Sequence, residues 1–107
     1  MKLRDIAHSR TGDKGDTSNI SVILYNPNNY NKVSEFLTVD KIFQQLMPAM
    51  RHFDVENIVV ERFDLPSITA FNFVIQKILK GGVTRSISLD AHGKSLCSVI
   101  LDMDISL

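Results

Sequence analysis

The chain has 107 residues, 44% of them hydrophobic, and its 12 basic and 12 acidic side chains cancel to a formal charge of zero. That length predicts one domain spanning residues 1–107 with a core of its own, and the charge balance argues against nucleic acid or an anionic membrane as partner. The charged start from Met1 to His8 does not suit a signal peptide, no stretch nears the ~18 apolar residues of a membrane span, and a lone cysteine, Cys97, excludes an internal disulfide, so the expected compartment is the cytoplasm.

In chain order, Leu3 to His8 is expected to form a first strand. A polar run follows, Ser9-Arg10-Thr11-Gly12-Asp13-Lys14-Gly15-Asp16-Thr17-Ser18-Asn19, longer than the two to five residues that a simple reversal needs. It is expected to be a loop crossing one end of the sheet. Ile20 to Tyr25, β-branched and aromatic, predicts a second strand, and Asn26-Pro27-Asn28-Asn29 ends it as a turn. Tyr30 to Leu37 predicts a short helix. Thr38 then serves as N-cap to a second piece in which Val39, Ile42, Phe43, Leu46 and Met47 share one face, and Pro48 stops it.

Val55 to Leu65, closed by Pro66, predicts a third strand. Ser67 to about Lys80 is expected to be a helix ended by Gly81-Gly82, with Ile68, Phe71, Ile75, Ile78 and Leu79 on its apolar face, Asn72 at the edge of that face and Phe73 pointing away. Two period-two segments complete the chain, Thr84 to Leu89 and Lys94 to Ile105, joined through a hairpin turn at Asp90-Ala91-His92-Gly93-Lys94. Within the last of these, Cys97 suits a buried small apolar residue better than a nucleophile. The elements add up to an α+β fold, a two-layer ferredoxin-like sandwich with a mainly antiparallel sheet, helices on one face and the order β-β-α-β-α-β-β. Its second sheet face lacks cover from this chain, which predicts burial by another subunit or partner.

The polar run offers four chemistries. Gly12 and Gly15 could aim backbone N–H groups at a carboxylate or phosphate, with Arg10 and Lys14 supplying charge, although the spacing is not that of a nucleotide P-loop. Asp13 and Asp16 could share a divalent cation with Asp90 if the loops meet. His8, Asp13, Asp16 or Lys14 could move a proton. Alternatively the same side chains tie down the loop itself. The three histidines are scattered, which with one cysteine makes no zinc pattern, and neither a metal nor a cofactor is expected.

Four segments taken together carry a family resemblance: Ala7-His8 with Arg10 and Gly12-Asp13-Lys14-Gly15-Asp16 to Asn19-Ile20; Arg62-Phe63-Asp64-Leu65-Pro66; Phe71-Asn72-Phe73; and Leu89-Asp90-Ala91-His92-Gly93-Lys94. Over nearly its whole length the chain resembles the AtuA-like ferredoxin-fold domain, found at the C-terminus of acyclic terpene utilisation proteins and also as a separate small protein. It departs in having Thr11 where a serine is expected, in a β-branched residue directly after Gly81-Gly82, and in an asparagine-rich segment after the second strand. The resemblance implies a role beside a larger AtuA-type protein in catabolism of acyclic terpenes or branched acids through CoA thioesters; it assigns no reaction to the small domain.

Two readings follow. In one, the protein is an accessory subunit that forms a homo-oligomer and docks on the larger AtuA-type chain. In the other it is a small ligand-binding or catalytic domain whose site comprises His8, Arg10, Gly12, Asp13, Lys14, Gly15, Asp16 and Asn19, with Asn72, Asp90 and Lys94 as neighbours.

Overall fold

The computed structural model describes residues 1–14, 17–50, 58–76 and 96–107. A 3-10 turn at Leu3–Asp5 leads into strand β1 (Ala7–Lys14), which pairs antiparallel with β2 (Thr17–Leu24) from Ala7↔Leu24 to Lys14↔Thr17. Helices α1 (Tyr30–Phe36) and α2 (Val39–Leu46) come next, then β3 (Val59–Leu65), β4 (Ala70–Gln76) and α3 (Leu96–Leu101). The four strands form one antiparallel sheet in the order β1-β2-β4-β3. With the helices on one sheet face, the fold is the expected α+β, two-layer ferredoxin-like arrangement, with α3 against β1 and α2 against β3.

Period-two burial explains why the helices choose that face. Ser18, Ile20, Val22 and Leu24 of β2 are buried, and Ile75, Phe73 and Phe71 of β4 lie opposite the first three. Onto this floor pack Val33, Leu37, Ile42 and Leu46 from α1 and α2, together with Leu96 and Ile100, one helical turn apart in α3. Thr38 caps α2 as expected, its hydroxyl accepting from the Lys41 N–H at 3.2 Å. Regular helix stops at Leu46, before Pro48, and continues as 3-10 turn through Met50.

Four local expectations are corrected. The first strand starts at Ala7, not Leu3. Residues 9–14 and 17–19 are not a crossing loop but paired ladder: the polar residues of β1 suit an edge strand with one face open to water, and in β2 Thr17 and Asn19 take that same face while Ser18 is buried. Where a helix was expected over Ser67 to Lys80, the described residues form a 3-10 turn at Pro66–Ile68 followed by β4, which ends at Gln76. Phe73, which a helix would have pointed outward, is fully buried beside Phe71 and Ile75, so the period is two. Finally, Leu96 to Leu101 is helical rather than extended.

Only the end of that last segment alternates as expected, with Met103 and Ile105 buried around exposed Asp104. There the chain bridges back to its own start: the Leu3 N–H donates to the Met103 carbonyl and the Ile105 N–H to the Met1 carbonyl. Lys2 pairs with Asp104 and Arg4 with Asp102 alongside. The described elements thus run β-β-α-α-β-β-α, with β4 where the second helix was expected and α3 within the last expected strand. The strand expected at Thr84 to Leu89, the Asp90 to Lys94 turn, the Gly81-Gly82 stop and the first residues of the third predicted strand lie outside the described residues.

Candidate functional site

Residues paired across a ladder share a face, so the register lays out, row by row, the side of the sheet that no described helix covers. Arg10 is opposite Ser21, Ser21 opposite Asn72, and Asn72 opposite Phe63. In the next row Gly12 is opposite Asn19, Asn19 opposite Val74, and Val74 opposite Glu61. The intervening residues Thr11, Ile20, Phe73 and Arg62 face the helices. A shallow groove of about 270 Å³ opens on this outer side, lined by Arg10, Thr11, Gly12, Asn19, Ser21 and Asn72.

Side-chain donors converge there. The Asn72 amide donates to Asn19 Oδ1 at 3.4 Å, and the Ser21 hydroxyl to the Arg10 carbonyl at 3.5 Å. Both contacts are long, at the limit of hydrogen-bonding geometry. Arg10 is exposed and has no carboxylate partner among the described residues. Gly12 sits in ordinary extended strand, and a Cβ added to it would meet no atom within 4 Å. Its missing side chain leaves the groove open; the backbone needs no glycine at this point.

Of the residues expected at the site, the structure therefore brings Arg10, Gly12, Asn19 and Asn72 together. His8 is on the same face of β1 but stacks on Tyr25, with ring centroids 5.4 Å apart. The backbones of Asp13 and Lys14 are the last rungs of β1, opposite Ser18 and Thr17. Gly15, Asp16, Asp90 and Lys94 lie outside the described residues, and with them most of the cation site that Asp13, Asp16 and Asp90 would make. Among the described residues no group of three His, Cys, Asp or Glu side chains could hold a metal ion. Ser21 is the residue that sequence reasoning missed, and extending the alternation of β2 back to Thr17 would have placed it beside Asn19.

Arg62, the first residue of the Arg62-Phe63-Asp64-Leu65-Pro66 segment, works on the other side of the sheet. Its guanidinium donates to the Ser34 and Leu37 carbonyls at the end of α1, at 2.7 and 2.9 Å, and pairs with Asp64 at 2.8 Å. It also lies 5.3 Å from the centre of the Phe71 ring, on which Tyr30 stacks at 4.6 Å. Helix C-terminal carbonyls lack intrahelical partners, so this arginine fastens α1 to the sheet. Partial burial first, then the Asp64 carboxylate, push the Tyr30 phenol above its ordinary pKa of 10.0, against the lowering effects of a Leu65 backbone hydrogen bond and of Arg62.

A larger hollow of about 380 Å³ lies among Phe36, Lys41, Gln44, Gln45, Met103 and Asp104. Its charges are already engaged, Lys41 Nζ over the Phe36 ring at 3.8 Å and Asp104 with Lys2 at 3.1 Å. Among the described residues no helix is long and apolar enough to cross a membrane.

Compared with known families, residues 1–106 match the model described as the AtuA ferredoxin-like domain. Comparison with curated proteins and with solved structures gives no significant match.

Proposed function

Because the chain belongs to the AtuA ferredoxin-like domain family, we propose that it is an accessory subunit, which self-associates and docks on a larger AtuA-type protein through its uncovered sheet face. The setting would be the one the family resemblance implies, catabolism of acyclic terpenes or branched acids as CoA esters. The observation that carries this reading is apolar surface on β3, an edge strand of that face: Val59 and Phe63 are each 49% exposed and Leu65 is 40% exposed. Large side chains clustered on one strand are costly to leave in water and favour a partner.

The test is recovery of the tagged protein from its own cells, with mass spectrometry and light scattering. A stoichiometric larger AtuA-type chain, lost with Phe63→Asp, is the expected result. A monomer recovered alone would overturn the reading.

A second reading, a small ligand-binding domain, is favoured by the groove at Arg10, Asn19, Ser21 and Asn72. An open groove of this size could bind the end of a molecule but not enclose a drug-sized one.

A further inference from the structure

We propose that the groove on the open sheet face binds the carboxylate of a short-chain monocarboxylic acid, held by Arg10, Asn19, Ser21 and Asn72 with its tail along Val74 and Phe63. The proposal rests on the second reading above and deepens it. It uses the same sheet face, Phe63 included, as the docking of the first reading, and the two are tested by different measurements.

Charge selects the class. Among the described residues that line the groove Arg10 alone is charged, and no described carboxylate neutralises it. One cation balances a monoanion, whereas a phosphate near neutral pH carries more charge than Arg10 can offset. The remaining groups are neutral: the Asn19 amide, the Asn72 N–H not used toward Asn19 Oδ1, and the Ser21 hydroxyl, whose one proton must leave its long 3.5 Å contact with the Arg10 carbonyl to reach a ligand. A guanidinium fork bonds both oxygens of a carboxylate at once, and the neutral donors can complete the shell without adding charge.

Register supplies the tail. Val74 follows Asn19 across the ladder, and Phe63 follows Asn72. An acid seated between Arg10 and the two amides therefore meets apolar surface on the side away from β1. Phe63 is 49% exposed and available to it. The groove volume of about 270 Å³ suits a carboxylate head with a few carbons. Gly12 matters by what it lacks, since it lines the groove and a Cβ added to it would stand in open space.

The test is a titration of the full chain with sodium butyrate, sodium acetate, butyramide and inorganic phosphate at constant ionic strength, followed by nuclear magnetic resonance of the Arg10 Nε–H and the Asn19 and Asn72 side-chain amides. Saturable shifts with butyrate in the millimolar range are expected, weaker with acetate and absent with butyramide. Arg10→Gln should weaken butyrate binding at least about tenfold, as loss of a charge-assisted pair does. Gly12→Val should abolish it in a protein whose backbone spectrum stays native, which separates blockage from misfolding. Non-saturating shifts, phosphate binding tighter than butyrate, butyrate no tighter than acetate, or wild-type affinity in Arg10→Gln would each overturn the proposal. Failure here leaves the pull-down result untouched, and failure there leaves this titration intact.

Discussion

The Thr11 hydroxyl accepts a hydrogen bond of 3.0 Å from the backbone N–H of Cys97, 86 residues further along the chain. A β1 side chain thus satisfies one of the orphan donors in the first turn of α3, the role that a local N-cap residue usually fills. With only six residues, α3 has little stability of its own. Thr11→Val, nearly isosteric but without the hydroxyl, is expected to cost about 1 kcal/mol, read as a lowered urea midpoint. Thr11→Ser keeps the acceptor and should stay close to the parent protein.

Arg62 supports a second prediction. Arg62→Met removes the guanidinium and leaves the Ser34 and Leu37 carbonyls without their donor. A loss of about 2–3 kcal/mol is expected for partly buried acceptors that lose a charged donor. Arg62→Lys should recover little of it, because an ammonium cannot reproduce the planar fork. Urea unfolding of the three proteins decides the point.

Tyr30 gives a pH dependence. Its phenol has a raised pKa in the folded protein, so the unfolded chain loses its proton first as pH rises. The stabilisation is therefore fully present below the unfolded value near 10 and falls away as pH climbs toward the folded one. Thermal melts between pH 8 and 11 should show a steeper alkaline loss in the parent than in Tyr30→Phe. At pH 8 the variant should be less stable by about 1 kcal/mol, since the Tyr30 hydroxyl no longer bonds the Ala70 carbonyl at 3.2 Å.

Gly12 lies in extended strand with open space where a Cβ would go. Gly12→Ala restricts the unfolded chain without a clash, and is expected to raise stability by about 0.5 kcal/mol. A lowered melting temperature would mean that the strand needs glycine at this position for its backbone.

How much was legible follows from particular residues. Thr38, Ile42 and Leu46 announced α2, because capping and a 3.6-residue period are local signals. Ile20 to Leu24 announced β2 by its β-branched run. The segment around Phe71 and Phe73 was misjudged because Ile68, Phe71 and Ile75 also fit a helical period, and Phe73 at the wrong angle was the clue to a strand. Leu96 to Leu101 is apolar at nearly every position, so alternation could not distinguish helix from strand. Arg10, Gly12, Asn19 and Asn72 were singled out from sequence; Ser21 was passed over between two core residues.

The sequence alone determined the fold class, the family, the cap and stop of α2, and the chemical types from which a site could be made, because these depend on composition and on neighbours a few residues apart. Tertiary structure decided the rest. Antiparallel pairing of β1, β2 and β4 turned a polar run into ladder and set Arg10, Ser21 and Asn72 in one row. Whether a short apolar segment becomes the helix above Thr11 or another strand depends on contacts up to 86 residues away, and no local pattern encodes them.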